Sequence, residues 1–401
     1  MNILLLRNYN PYIESGASAN RFRGLVDGLC REGHQVTIGV TGGLLKRDED
    51  SFKCNQPNLD VVYLSKANHY HGVMGRLNTY FFGVFHLTWA KKRLKNLIKN
   101  NFELVWLTNN GGVLKLFEDC FGGFSGKSFI ELNEFNDIYK AETQGNFLQK
   151  RKAQKNNQSF TETIGKIDLF GVMTKTLIGY YSEMAKPDAK FMHLPMTVDL
   201  SRFDKVSNSG DNNKKPYIAF TGTMNNKKDG VDVLIKAFAK IASRYPSLHL
   251  YLAGFWHYDV PMQDALISDF GLKGRVHRVG VLSRDQIPPF VCNASLLALS
   301  RPDSHQAQGG FPTKLGEYLA TGNPVCVTKV GEIPDYLEDN VSAFMAEPGD
   351  VDSFADAMDR ALQDQANAKR VGATGRKVAE ENFDAEKQAK RLSQFLIDNL
   401  K

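Results

Sequence analysis

The 401-residue chain predicts an α/β protein built from two doubly wound parallel domains. Three observations carry that expectation. Strand-length apolar runs alternate with helix-length segments, a polar stretch at 207–215 interrupts the alternation once, and glycines follow several of the runs. In such sheets ligands sit outside the carboxyl ends of the strands, so those glycines mark a shared cleft.

The elements follow in order. Runs at 3–6, 35–40, 61–64, 104–107, 129–132, 169–173 and 191–194 read as strands, with helices at 17–30 and 175–183. Gly33 ends the first helix before His34 and the next strand. The stretch SNSGDNNKK is too hydrophilic to pack, which predicts a linker over 201–215 between a first domain at 1–200 and a second at 216–384. The alternation then restarts, with strands at 217–221, 248–252, 276–279, 296–299 and 325–328. A final helix, 385–401, carries Leu392, Phe395, Leu396 and Leu400 on one side and is free to dock on either domain.

Composition narrows the class. The first segment lacks the basic leader and small-residue cleavage site of a signal peptide, and no apolar run approaches the roughly 20 residues of a spanning helix. The five cysteines have no metal spacing and read as reduced thiols of a cytoplasmic protein. The nine histidines show no ligand spacing, so no metal and no cofactor is expected. The formal charge of +6 lies in the first half, where residues 1–200 hold 25 Lys+Arg against 19 Asp+Glu. Much of it falls in 79–99 and 147–155, where cations mix with aromatics. Two readings stand: contact with an anionic membrane surface, or an ordinary helix whose Leu94, Leu97 and Ile98 pack inward while its lysines meet water. No recognition motif accompanies these cations, so nucleic acid is not expected as a partner. Asp350 before an amphipathic run reads as a helix cap, and Gly126-Lys127-Ser128 as a chance match to a phosphate loop that precedes a strand.

The richest segment is QAQGGFPTKLGEYLATGNPVCVT, 306–328. Gly309 and Gly310 allow close backbone approach, and Pro312 or Thr313 opens a helix whose first N–H groups form an anion site. On a helical wheel Leu315, Tyr318 and Leu319 share one face, while Thr313 and Glu317 share the other. By the wheel alone Glu317 is a solvated residue, paired with Lys314 at most.

Several segments together resemble the family 4 retaining glycosyltransferases of the GT-B fold, which build bacterial polysaccharides and glycolipids. They are Ser15-Gly16-Ala17-Ser18, Glu32-Gly33-His34, LPMTVDLSRF from Leu194 to Phe203, FTGTMNNKKDGVDVLIKAF, LAGF, the turn at 279–282 and GGFPTKLGEYLATGNPV. The resemblance covers nearly the whole chain. It implies two Rossmann-like domains facing a central cleft, with transfer of a sugar from a UDP- or GDP-linked donor to a glycan or lipid-linked acceptor. It further implies a protein that needs no metal and lies on the inner face of the cell membrane.

The resemblance also assigns positions. Gly16, Ala17, Gly222, Thr223, Gly254, Val281 and Leu282 would line the donor loops, and Lys227 and Lys228 would neutralise the diphosphate. Gly309, Gly310, Phe311 and Thr313 would offer backbone groups, Lys314 would add charge, and Glu317 would accept the ribose hydroxyls. Three positions depart from the pattern: Thr223 stands for an arginine, Gly309 for the acid that touches the transferred sugar, and Asn133 with Glu134 for a histidine near the acceptor. The FPTKLGEYLATG form resembles a branch in which Gln308, Gly309 and Gly310 replace the acidic loop. Asn133 and Glu134 are the candidate catalytic residues. A nucleotide-sugar epimerase or hydrolase of the same fold, or a non-catalytic nucleotide-sugar-binding subunit, are the competing readings.

Overall fold

The computed structural model describes residues 1–13, 16–42, 56–65, 88–136, 147–204, 206 and 216–400. It divides into two compact units, one of Met1–Pro195 with Gln388–Lys401, the other of Met196–Lys387.

The first unit holds a seven-stranded sheet in the order β3-β2-β1-β4-β5-β6-β7. Its strands are β1 (Asn2–Arg7), β2 (Gln35–Val40), β3 (Leu59–Tyr63), β4 (Leu104–Thr108), β5 (Lys127–Leu132), β6 (Leu169–Val172) and β7 (Lys190–His193). Every pairing is parallel. Parallel strands covered on both faces read as unbroken apolar runs, and Ile3 to Leu6 are accordingly fully buried. Trp106 on β4 lies at the centre, its ring 5.4 Å from Phe22 and 5.5 Å from Phe129.

The second unit repeats the plan with six parallel strands in the order β10-β9-β8-β11-β12-β13. They are β8 (Tyr217–Thr221), β9 (His249–Ala253), β10 (Val276–Gly280), β11 (Leu296–Leu299), β12 (Val325–Thr328) and β13 (Phe344–Ala346). Strand order reverses direction between β1 and β4 in the first sheet and between β8 and β11 in the second. These are the switch points at which an open α/β sheet leaves a crevice beyond its strands.

The helix Ala385–Asn399 resolves the docking question. From Gln388 it belongs to the first unit, where Ala389, Leu392 and Leu396 join the core of β1, β2 and β4, with Phe395 and Leu400 packed against it. The stretch expected as a linker begins as a short helix, Ser201–Asp204, of the second unit, while 205 and 207–215 lie outside the described residues. Asp350 caps the helix Val351–Gln363, its Oδ1 accepting from the N–H groups of Asp352 at 2.8 Å and Ser353 at 3.0 Å. Gly126-Lys127-Ser128 leads into β5.

Candidate functional site

The second unit gathers most of the singled-out residues beyond the carboxyl ends of β8, β9 and β11. Gly222 follows β8 at φ 150° and Gly254 follows β9 at φ 141°. A Cβ on Gly254 would overlap the Gly222 carbonyl, so the two loops touch backbone to backbone. A Cβ on Gly222 would overlap the Lys314 Nζ, which places that ammonium directly under bare backbone.

Lys314 comes from the helix Thr313–Ala320. Its Nζ donates to Asp229 Oδ1 at 2.7 Å and lies 4.7 Å from the centre of the Phe220 ring. Burial pushes the Lys314 ammonium below the usual lysine range, against the raising effect of Asp229; the charges of Arg301 and Lys228 add to the lowering. Asp229 ends the short helix Asn226–Asp229, and Gly230 turns out of it at φ 66° against Ser300. Lys227 and Lys228 are exposed on that turn, and Thr223 is half-buried before it.

The helix Thr313–Ala320 opens at Pro312 with no side chain capping its first N–H groups. Its inner face is the expected one, with Leu315, Tyr318 and Leu319 buried. The Tyr318 hydroxyl accepts from the Thr221 N–H at 2.7 Å, tying the helix to the end of β8. Glu317 is half-buried rather than fully solvated, and its pairing is not with Lys314. Its Oε1 accepts from Arg202 Nη1 at 2.9 Å, and Arg202 also donates to the Arg284 carbonyl at 2.7 Å.

Gly309 ends the helix His305–Gly309 and is buried, as is Gly310. Phe311 points into the core, 5.6 Å from Tyr336 and 5.3 Å from Phe383. Val281 is exposed and Leu282 half-buried beyond β10. Sequence reasoning missed Asp229, Arg202 and Arg301. Arg202 lay in view within the quoted LPMTVDLSRF motif. Arg301, buried after β11 and donating to the Gln306 carbonyl at 3.2 Å, had no signal beyond following a strand.

In the first unit Gly16 has φ 120° and caps the helix Ala17–Arg31 without a side chain. Ser15 lies outside the described residues. Glu131 is buried and paired with Arg21, which also donates to the Leu194 and Pro195 carbonyls. Beyond β5, Asn133 Oδ1 is buried and has no hydrogen-bond partner among the described residues, whereas Glu134 is exposed. Glu134 meets the fold through its carbonyl, which accepts from Tyr181 at 2.9 Å. The donor-side residues of the second unit and the pair Asn133–Glu134 thus belong to different units.

Of the basic segments, 79–87 lies outside the described residues. Over 88–97 the chain is helical with Ala90 and Leu94 buried and Lys92 and Lys95 exposed, the pattern of an inward-packed helix. Among the described residues no helix is long and apolar enough to cross a membrane, and no cluster of side chains suits a metal ion.

Comparison with known proteins adds a family match over part of the chain. Residues 215–364 match the family described as "Glycosyl transferases group 1". The amylovoran biosynthesis glycosyltransferase AmsK of Erwinia amylovora is 27% identical over 42% of this chain and 42% of its own length. A GDP-mannose-dependent alpha-(1-6)-phosphatidylinositol monomannoside mannosyltransferase of Mycolicibacterium smegmatis is 26% identical over 52% of this chain and 57% of its own. The matched segment thus spans about half the length of these relatives. Their names support the transferase class. Among solved structures, the sucrose-phosphate synthase of Thermosynechococcus elongatus superposes with TM-score 0.77 at 17% identity, covering 99% of this chain and 98% of its own. Anabaena HepE, solved with UDP and glucose, superposes with TM-score 0.69 at 17% identity, covering 99% and 100%. Fold and family match agree: the chain has the GT-B fold, and its residues 215–364 are similar to the group 1 glycosyltransferases.

Proposed function

We propose that the protein transfers a hexose-type sugar from a nucleoside-diphosphate donor, UDP- or GDP-linked, to a glycan or lipid-linked acceptor in bacterial surface polysaccharide or glycolipid synthesis, with retention of configuration. The observation that carries this reading is the uncapped start of the helix Thr313–Ala320, with Lys314 beneath Gly222 and Glu317 one turn further on. A helix start without a side-chain cap, together with cations, suits a diphosphate, and a carboxylate one turn away suits the two hydroxyls of a ribose. Lys227 and Lys228, on the adjoining turn, would add to the positive field around the leaving group.

In such a transfer the bond from the sugar's anomeric carbon to the diphosphate breaks, and a bond to the acceptor oxygen forms on the same face. The acceptor proton passes to the leaving diphosphate, so the protein chiefly positions the reactants and stabilises charge. Asn133, with its buried Oδ1 unpartnered among the described residues, is suited to hold an acceptor hydroxyl. Gly309 in place of an acid leaves the sugar to be read by backbone and by Gln308. Relatives and neighbours named for GDP-mannose and solved with UDP support both bases as candidates. The cations of the segments 79–99 and 147–155 are the proposed contact with an anionic inner membrane face.

The test is calorimetry with uridine and guanosine diphosphates. Glu317→Ala should weaken the preferred nucleotide by about tenfold or more. Undiminished affinity in that variant would sink the assignment. Product analysis by NMR without acceptor separates transfer from epimerisation or hydrolysis.

A further inference from the structure

The loop after β9 exposes large apolar side chains side by side. Phe255 is 62% exposed, Trp256 67% and Tyr258 68%, and Met262, one turn into the helix Val260–Asp269, is 52% exposed. Water-facing aromatic clusters of this kind mark interaction surfaces rather than chance exposure. The loop is also fixed in place. The Met224 N–H donates to the Phe255 carbonyl at 3.0 Å, Asn225 Nδ2 lies 3.1 Å from His257 Nε2, and the Asn226 N–H donates to Asp259 Oδ2 at 2.8 Å. Gln263 Nε2 adds bonds to the Met224 carbonyl at 3.0 Å and to Asn226 Oδ1 at 2.7 Å. These bonds hold the aromatic loop against the turn that carries the exposed Lys227 and Lys228. Asp259 is drawn into the loop by Asn226 and by His257 at 3.1 Å and is largely covered, while Lys227 and Lys228 are exposed on the adjoining turn.

We infer that this surface of the second unit inserts into the headgroup region of an anionic bilayer, through Phe255, Trp256, Tyr258 and Met262 with Lys227 and Lys228 beside them. Charge complementarity selects this occupant: amphipathic aromatic rings favour the membrane–water interface, and adjacent lysines add attraction to anionic headgroups. A rigid loop also gives up little conformational freedom on insertion. The inference goes beyond the proposed transfer reaction: Phe255, Trp256, Tyr258 and Met262 have no part in that reaction, and only Lys227 and Lys228 are shared with it.

Its test needs no nucleotide, so its failure leaves the donor assignment untouched. The full chain should co-sediment with phosphatidylcholine vesicles containing about one-third phosphatidylglycerol, and less at high salt. The double substitution Trp256→Ser with Tyr258→Ser should lower partitioning about tenfold or more, while Trp256→Phe, which keeps a ring, should retain it. Trp106 is buried, so in a Trp89→Phe background Trp256 is the exposed tryptophan; its emission should shift to the blue and be quenched by brominated lipid. Bound vesicles with unchanged Trp256 emission, or unchanged partitioning of the double variant, would overturn the inference. So would concentration-dependent self-association without lipid that the same double substitution abolishes, since that assigns the surface to a second copy of the chain.

Discussion

Lys314 and Asp229 form a 2.7 Å pair whose side chains are only 17% and 7% exposed. Breaking a pair so placed leaves one charge in poor solvent, so Asp229→Ala should cost about 3–5 kcal/mol in urea unfolding. Replacing both, as Asp229→Ala with Lys314→Met, should recover most of that loss. Gly222→Ala acts differently: at φ 150° with a Cβ overlapping Lys314 Nζ, it should displace the ammonium and weaken nucleoside diphosphate binding about tenfold in calorimetry. Lys314 and Glu317 were legible in the sequence as polar positions on an amphipathic helix. Their partners were not, because Asp229 stands 85 residues away from Lys314 and Arg202 115 residues from Glu317. Periodicity reports which face of a helix a residue takes, never what the fold brings opposite it.

The strands were legible at the scale of elements because a parallel sheet covered on both faces demands continuous apolar runs, and those runs stand out between polar helices. β2, β8, β11 and β12 fall at their expected residues. β13 escaped notice since Phe344–Ala346 is three residues long and shows no period. The helix Phe147–Ile164 also escaped, its cations having drawn attention to charge instead. The C-terminal helix displayed its apolar side plainly but not its destination. Leu392 is fully buried in the first unit's core, so Leu392→Ala should destabilise that unit by about 2–5 kcal/mol in urea unfolding.

At the scale of the whole chain, His34 links its two ends. It is buried at the start of β2, and its Nε2 lies 2.6 Å from the Ser393 hydroxyl of the C-terminal helix. Burial, and then the charge of the N-terminal amine, hold its pKa below the ordinary 6.5. The unfolded chain therefore binds the proton more readily than the folded one. The stability from neutral His34 is fully present above about pH 6.5 and is lost as pH falls from there toward the depressed folded value. Melting temperature followed across that window should decline, and His34→Gln should flatten the decline. An unaltered slope in the variant would place the titrating group elsewhere.

By itself the sequence determined the fold class, most strand positions, the inner face of the helix Thr313–Ala320 and the glycines at the strand ends. These properties depend on neighbours within a few residues and survive in one dimension. Only the tertiary structure decided that Lys314 answers to Asp229 and Glu317 to Arg202, that Phe311 packs into the core beside Tyr336 and Phe383, and that the last helix completes the first unit. Each of those outcomes rests on burial and charge pairing between segments far apart in the chain. Such pairings are selected by the free energy of the packed whole and leave no local trace.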